Sequence, residues 1–412
     1  MIQFEKFTLD NGLRVIVHLD TTTPMAVLNV MYDVGARDEN PNQTGFAHLF
    51  EHLMFGGSIH IPSYDEPLQM AGGENNAYTT NDLTNYYIQL PAENLETAFW
   101  LESDRMLSLA FDEKSLDVQR KVVSEEFKEH YLNKPYGDVW HKMRALAYQV
   151  HPYRWMTIGK ELSHVENAQL QDVKNFFCKH YTPSNAVLCV AGNVTVEQVK
   201  ELAQKWFGDI PAGEKYERIL PQEPKQTAAR KLEVKAKVPL DALYKCWHIY
   251  PRLDMRYYTA DLITDLLSGG GSSRLYQSLV KEKQLFSNIN CFHFGSADAG
   301  LLAIDGKLIK GVTMEEAEKA IEEELQKMKD ELVSEAELEK VKNKTESLMA
   351  FEDVPLMSRA SSLANYELLG DADLMNKELE HYHAVTAQDI QQESKNIFTE
   401  DNCSTLYYYS EN

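Results

Sequence analysis

The chain lacks any run of about 18 or more apolar residues, which argues against a hydrophobic helix spanning a membrane. Its five cysteines, Cys178, Cys189, Cys246, Cys291 and Cys403, are scattered, odd in number and without C-x-x-C spacing. They predict buried free thiols in a reducing compartment, and neither a disulfide frame nor a zinc ribbon. Basic residues are scarce: 41 Lys and Arg face 63 Asp and Glu, a formal charge of −22. That balance speaks against a nucleic-acid surface, because phosphate binding relies on clustered cations. The opening residues 1–10 lack a basic region followed by an apolar one. No secretory leader is therefore expected, and the location read from the sequence is cytoplasmic, although a leader already removed would leave no trace.

What is present is a chain of 412 residues with 43% hydrophobic content and an ordinary quarter of charged residues. That is enough to bury a substantial core and to build two domains. The acidic surplus has two readings. Most of it is a solvated surface that aids solubility; acid lining a cavity would favour a basic or neutral polypeptide.

The most informative segment is His48-Leu49-Phe50-Glu51-His52, inside an apolar stretch free of helix breakers. On an α-helix the two histidines are one turn apart and project from one face, so both imidazoles can reach one metal ion. The glutamate beside the second histidine makes this the inverted H-x-x-E-H order of catalytic zinc sites. His48 and His52 are candidate Zn²⁺ ligands, and Glu51, left unligated, is the candidate general base. The bland alternative is a pair of ordinary helix histidines, which the apolar setting disfavours because unpartnered ionisable groups are costly there. A catalytic zinc usually takes a third protein ligand. A helical pattern over residues 113–131 offers Glu125, Glu126 and Glu129.

The chain also reads as two halves of one design. Residues 171–191 and 388–409 share a helix, turn and strand pattern at a constant offset near half the chain length. The join is placed in a polar, proline-bearing stretch with Pro211, Pro221 and Pro224. Strands are expected at residues 4–9 and 13–18, flanking the Asp10-Asn11-Gly12 turn, and again at 25–34. Helices are expected at 92–109, 113–131, 272–283 and across 314–349. Strands and helices in separate blocks predict an α+β fold of two homologous domains, each a mainly antiparallel sheet packed with helices. The domains are set at 1–212 (zinc-binding), 213–231 (linker) and 232–412 (homologous, without metal).

On these residues the chain resembles the pitrilysin/insulinase metallopeptidases, the inverzincins, and among them the short two-domain members related to mitochondrial processing peptidase. Beyond the zinc motif the resemblance covers Asn76-Ala77-Tyr78-Thr79-Thr80 with Thr84 and Tyr86, and Val122-Val123-Ser124-Glu125-Glu126. It continues through His151-Pro152-Tyr153, Tyr181-Thr182-Pro183-Ser184-Asn185 and Gly269-Gly270-Gly271-Ser272-Ser273-Arg274. It implies a zinc endopeptidase with Glu126 as the third ligand, leaving Glu125 and Glu129 on a solvated face. It also implies that Asn76, Ala77 and Tyr78 lie on an edge strand to which a peptide substrate adds. A further family glutamate, two helical turns before Glu126, falls on Gln119 here, which removes a carboxylate that could orient the site.

The resemblance bears on partners as well. Where family members acting alone or as homodimers carry a spaced Arg and Tyr that bind the substrate carbonyl, this chain has Val280 and Ser287. Neither supplies a cationic or phenolic donor for a developing oxyanion. The expectation is a heterodimer with a related subunit that lacks the zinc motif. The alternatives are a homodimer, or substitution by Arg274, Lys281 or Lys283. Gly269-Gly270-Gly271 lacks the Gly-Lys-Ser/Thr of a phosphate loop and reads as a turn. The rival functional readings are a non-catalytic scaffold with the peptidase fold and a zinc-storage protein.

Overall fold

The computed structural model describes residues 1–110, 112–214 and 216–411. Phe111, Lys215 and Asn412 lie outside the described residues, so the expected linker is described except at Lys215. The first half runs β1 (Glu5–Thr8), β2 (Arg14–Leu19), β3 (Met25–Tyr32), α1 (Phe46–Leu53), α2 (Asp65–Met70), β4 (Glu74–Thr79) and β5 (Thr84–Pro91). It continues with α3 (Leu95–Ser108), α4 (Glu113–Phe127), α5 (Val139–Ala147), α6 (Leu162–Glu166), α7 (Leu170–His180), β6 (Ala186–Gly192) and α8 (Val196–Phe207). The second half runs β7 (Arg230–Ala236), β8 (Ala242–His248), α9 (Arg256–Ser268), β9 (Phe286–Phe294) and β10 (Leu301–Leu308). Then come α10 (Met314–Asp330), α11 (Glu335–Glu352), α12 (Leu356–Leu368), α13 (Leu374–Ala384), α14 (Ala387–Ile397) and β11 (Cys403–Ser410).

The strands form a six-stranded sheet, β1-β2-β6-β3-β5-β4, and a five-stranded sheet, β7-β11-β8-β10-β9. Neighbours are antiparallel except β2 with β6 and β7 with β11. Without β1 the two orders coincide: β7, β11, β8, β10 and β9 take the places of β2, β6, β3, β5 and β4. Among the described residues, five α-helices separate β5 from β6 and five separate β10 from β11. The fold is thus a duplicated α+β design, as the repeated helix-turn-strand pattern indicates.

The two compact units are not contiguous in sequence. The first comprises Met1–His130, Trp155–Pro221 and Ala350–Asn376; the second comprises Tyr131–Arg154, Gln222–Met349 and Lys377–Asn412. The sequence-based halves at 1–212 and 232–412 therefore divide the chain differently. The first unit includes α12, whose Leu356, Ala360, Leu363 and Ala364 pack on Ile16, Val27, Met31 and Val187 of the six-stranded sheet. The second unit includes α5, whose Val139, Met143 and Ala147 pack on Ala242, Tyr244, Cys246 and Leu406 of the five-stranded sheet. In chain order α5 and α12 are equivalent helices, the third of each set of five. Each sheet buries one face under a helix encoded in the other half.

The element bounds differ from expectation where backbone chemistry intervenes. The pattern over 314–349 breaks into α10 and α11 around Leu332 and Val333. Residues 92–94 form a 3₁₀ turn ahead of α3, and the expected helix at 272–283 is π-helical over Tyr276–Glu282. Residues 113–131 end in a π-helical turn at Lys128–Leu132. The Asp10-Asn11-Gly12 turn forms as expected, with Gly12 at φ +87° and Asn11 Nδ2 donating to the Phe207 and Ile210 carbonyls. Four cysteines are buried and free as expected, whereas Cys178 is exposed. No helix of the described residues is long and apolar enough to cross a membrane.

Candidate metal centre

The site is built on α1, whose Phe46, Ala47, Leu49, Phe50 and Leu53 are buried. Phe50 lies among the rings of Phe177 and Tyr181, which fixes the face the helix presents inward. His48 and His52 occupy the remaining face, one turn apart, with ring centroids separated by 4.9 Å and planes at 90°. The helix α4 runs alongside and brings Glu126 to them. Glu126 Oε2 lies 3.8 Å from His48 Nε2 and 3.5 Å from His52 Nε2. One donor atom from each of the three lies within 4.8 Å of the others, and this is the one such set among the described residues.

The spacing suits a zinc ion. Donors about 2.0–2.1 Å from a tetrahedral ion lie roughly 3.4 Å apart, close to the two His–Glu separations. Burial, opposed by Glu126, lowers the pKa of His48 to about 4, so its imidazole stays neutral and able to ligate at neutral pH. The Glu126 carboxyl is held below its usual range, chiefly by its contact with His52.

Glu51 lies on the same helix and is aimed at β4. Thr79 Oγ1 donates to Glu51 Oε2 at 2.6 Å. Burial raises the Glu51 pKa, and the Thr79 hydrogen bond opposes the rise. Of the other candidate acids, Glu125 on α4 is exposed and paired with Lys128 at 2.8 Å, and Glu129, in the π-helical turn that follows α4, is exposed. Gln119 sits on α4 two turns before Glu126 and is half-buried.

The strand β4 is the edge of its sheet, paired on one side with β5. Asn76 and Tyr78 are exposed on it and Ala77 is half-buried. Asn76 Oδ1 accepts the Ala77 N–H at 2.8 Å, so in this structure one main-chain donor of the edge is satisfied from within the strand. In the second unit, the cations weighed as substitutes for the missing Arg are engaged differently. Arg274 is bound bidentately by Glu337, Lys283 pairs with Glu323 at 2.8 Å, and Lys281 lies over the Tyr276 ring.

Two residues around the site were not singled out from the sequence. Thr79 lies inside a motif that the resemblance covers, but nothing in its local pattern links it to Glu51. Glu39 is buried at the start of α1, where its two carboxylate oxygens accept the Gly45 and Ala47 N–H groups, each at 2.9 Å. A hint was available: the residue preceding the helix is Gly45, which carries no side chain to cap the first turn, so an acceptor must come from elsewhere.

Comparison with known proteins gives a consistent result. A family model described as "Insulinase (Peptidase family M16)" matches residues 14–159, and one described as "Peptidase M16 inactive domain" matches residues 167–345. The chain is 32% identical over 350 residues to "Zinc protease PqqE" of Helicobacter pylori, covering 82% of this chain and 77% of that protein. It is 30% identical over 202 residues to the "Probable mitochondrial-processing peptidase subunit beta" of Arabidopsis thaliana, covering 48% of this chain and 38% of that protein. A solved structure titled "The crystal structure of a protease from Helicobacter pylori" superposes with a TM-score of 0.92 at 27% identity, covering 99% of this chain and all of that one.

Proposed function

Since the chain belongs to the insulinase family of metallopeptidases, peptidase family M16, we propose that it is a zinc-dependent endopeptidase acting on peptides or small unfolded polypeptides. The observation that carries this reading is the convergence of His48, His52 and Glu126 within 4.8 Å, beside a carboxylate, Glu51, that is left over. A scaffold has no use for three buried or half-buried ionisable groups facing one another, nor for a fourth held in reserve. Zinc storage does not call for Glu51.

When bound by His48, His52 and Glu126, zinc supplies a Lewis acid and lowers the pKa of water. Glu51 then acts as the general base, taking a proton from water and passing it to the leaving amine. Thr79 holds one oxygen of Glu51 and leaves the other for this transfer. The edge strand β4 binds the peptide as an added strand, with Asn76 releasing the Ala77 N–H to the substrate main chain and Tyr78 touching its side chains. The test is zinc analysis of the purified protein together with digestion of a peptide library with and without chelator. Bound zinc and chelator-sensitive cleavage support the reading; a protein that takes up no zinc and cleaves nothing, alone or with a partner, removes it.

The active species in this reading is a dimer with a related subunit. Val280 and Ser287 offer no cationic or phenolic donor, while Arg274 and Lys283 are committed to Glu337 and Glu323. Similarity to a subunit of a processing peptidase is consistent with such pairing. Peptidase activity measured on the isolated chain and on co-purified material from the native source distinguishes the arrangements: full activity of the chain alone defeats the heterodimer.

A further inference from the structure

The helix that carries the zinc ligands begins without a cap of its own. Gly45 precedes it at φ +88°, in the left-handed region, and a Cβ there would meet the Ile158 carbonyl oxygen at 2.6 Å. The position is thus closed to Ser, Thr, Asn or Asp, which would otherwise satisfy the first-turn N–H groups. The acceptor comes instead from Glu39, which is 6% exposed. Its Oε2 accepts the Gly45 N–H at 2.9 Å and the Trp155 indole N–H at 3.1 Å, and its Oε1 accepts the Ala47 N–H at 2.9 Å. Ala47 is the residue before His48.

Three donors converge on two oxygens, so both oxygens must be acceptors, which a carboxylate provides and an amide does not. Negative charge at this end also matches the helix dipole. At the other end of α1 the buried Arg105, paired with Glu102, donates to the Met54 carbonyl at 3.5 Å. The eight-residue helix is short enough that a change in its first turn reaches His48 directly. Its N-cap residue, Gly45, makes no side-chain cap hydrogen bond.

We infer that Glu39 is a positioning residue for the metal centre: with Trp155 locking its carboxylate, it fixes the first turn of α1 and through it the direction of His48. This rests on the zinc reading above. Glu39 touches neither metal nor substrate, and its effect passes through the helix backbone.

The test compares the unsubstituted protein with Glu39→Gln and Trp155→Phe, above pH 8, because burial pushes the Glu39 pKa up to about 8. Zinc dissociation constants come from chelator competition and ligand geometry from the visible spectrum of the cobalt-substituted protein, each alongside circular dichroism and thermal unfolding of the metal-free form. Glu39→Gln turns one acceptor into a donor facing a donor, and roughly a 10- to 100-fold loss of zinc affinity with an altered cobalt spectrum is expected. Trp155→Phe removes the indole donor, which Glu39 Oε2 shares with the Ala36 carbonyl oxygen at 3.0 Å, and should give a smaller loss in the same direction. A purely structural role predicts a lower unfolding temperature with unchanged zinc affinity and cobalt spectrum, and that result overturns the inference. If Glu39→Gln does not fold, Trp155→Phe decides on the same readouts. Failure of the unsubstituted protein to bind zinc overturns the zinc reading itself and this inference with it, whereas zinc binding that is indifferent to both substitutions overturns the inference alone.

Discussion

Thr79 and Glu51 are joined by a 2.6 Å hydrogen bond from the Thr79 hydroxyl to Glu51 Oε2, across the space between β4 and α1. It ties the strand proposed to receive substrate to the carboxylate proposed to move the proton. Thr79→Val keeps the shape and removes the donor. Hydrogen bonds to charged groups contribute about 1.5–3 kcal/mol, so turnover is expected to fall about 10- to 100-fold while zinc content is retained. Steady-state kinetics with metal analysis checks this; loss of zinc in Thr79→Val would mean that the hydroxyl supports the ligands and not the base.

Glu51→Gln and His48→Ala should separate binding from chemistry. Glu51→Gln leaves the three donors in place, so zinc stays and turnover falls by about 10² to 10⁴, the usual contribution of a general base. His48→Ala removes one of three donors and should lose both metal and activity. Elemental analysis and a peptide assay on the same preparations provide the check. Substantial turnover in Glu51→Gln would take the base role away from that residue.

The duplicated α+β design was readable because hydrophobic alternation, the Asp10-Asn11-Gly12 turn and the repeated helix-turn-strand segments are local signals. The His48 and His52 pair was readable for the same reason, as one helical turn is a fixed spacing. Glu126 was not: the helical pattern over 113–131 offers Glu125, Glu126 and Glu129 as candidates, and periodicity alone does not say which faces a helix far away in sequence. Only the family resemblance chose among them. The exchange of α5 and α12 was invisible, since an amphipathic face encodes that a helix is buried and not which sheet buries it. Glu39 was missed because its partners are backbone N–H groups, which every sequence carries.

Leu363 is fully buried where α12 covers the six-stranded sheet. Leu363→Ala should cost about 2–5 kcal/mol by lost burial and the cavity left behind. Chemical denaturation with hydrogen exchange gives the check: protection should drop in the β3 and β6 strands of the first unit. A change confined to the second unit would contradict the placement of α12.

His180, at the end of α7, is buried beside the Tyr216 ring, and burial lowers its pKa from 6.5 to about 4. The unfolded chain takes up this proton near pH 6.5 and the folded chain only near pH 4. The stabilising contribution is therefore fully present above about pH 6.5 and is lost as pH falls through about 4. The loss across that window is roughly 3–4 kcal/mol at about 1.4 kcal/mol per pH unit. Denaturant melts of the metal-free protein between pH 4 and 7, with His180→Phe as the reference that flattens the profile, test it. A slope as steep in His180→Phe as in the parent would assign the effect to other groups.

The duplication raises the question of a second metal, because α9 follows β8 as α1 follows β3, and it carries Asp261 and Asp265 one turn apart. Their surroundings answer it. Lys344 Nζ from α11, the helix that stands in chain order where α4 does, lies 2.6 Å from Asp265 Oδ1. His293 Nε2 lies 2.9 Å from Asp261 Oδ1, and the Tyr382 hydroxyl donates to the same carboxylate. An ammonium brought in by the protein supplies the positive charge that zinc would supply beside His48 and His52, so no donor is left in need of a cation. The expected stoichiometry is one zinc per chain, removed entirely by His48→Ala. Lys344→Met should lower stability, because Asp265 is left uncompensated, yet leave the tight zinc site intact. Titration of metal-free protein with zinc measures both, and a second tight site surviving in His48→Ala would show that the two halves kept the same chemistry.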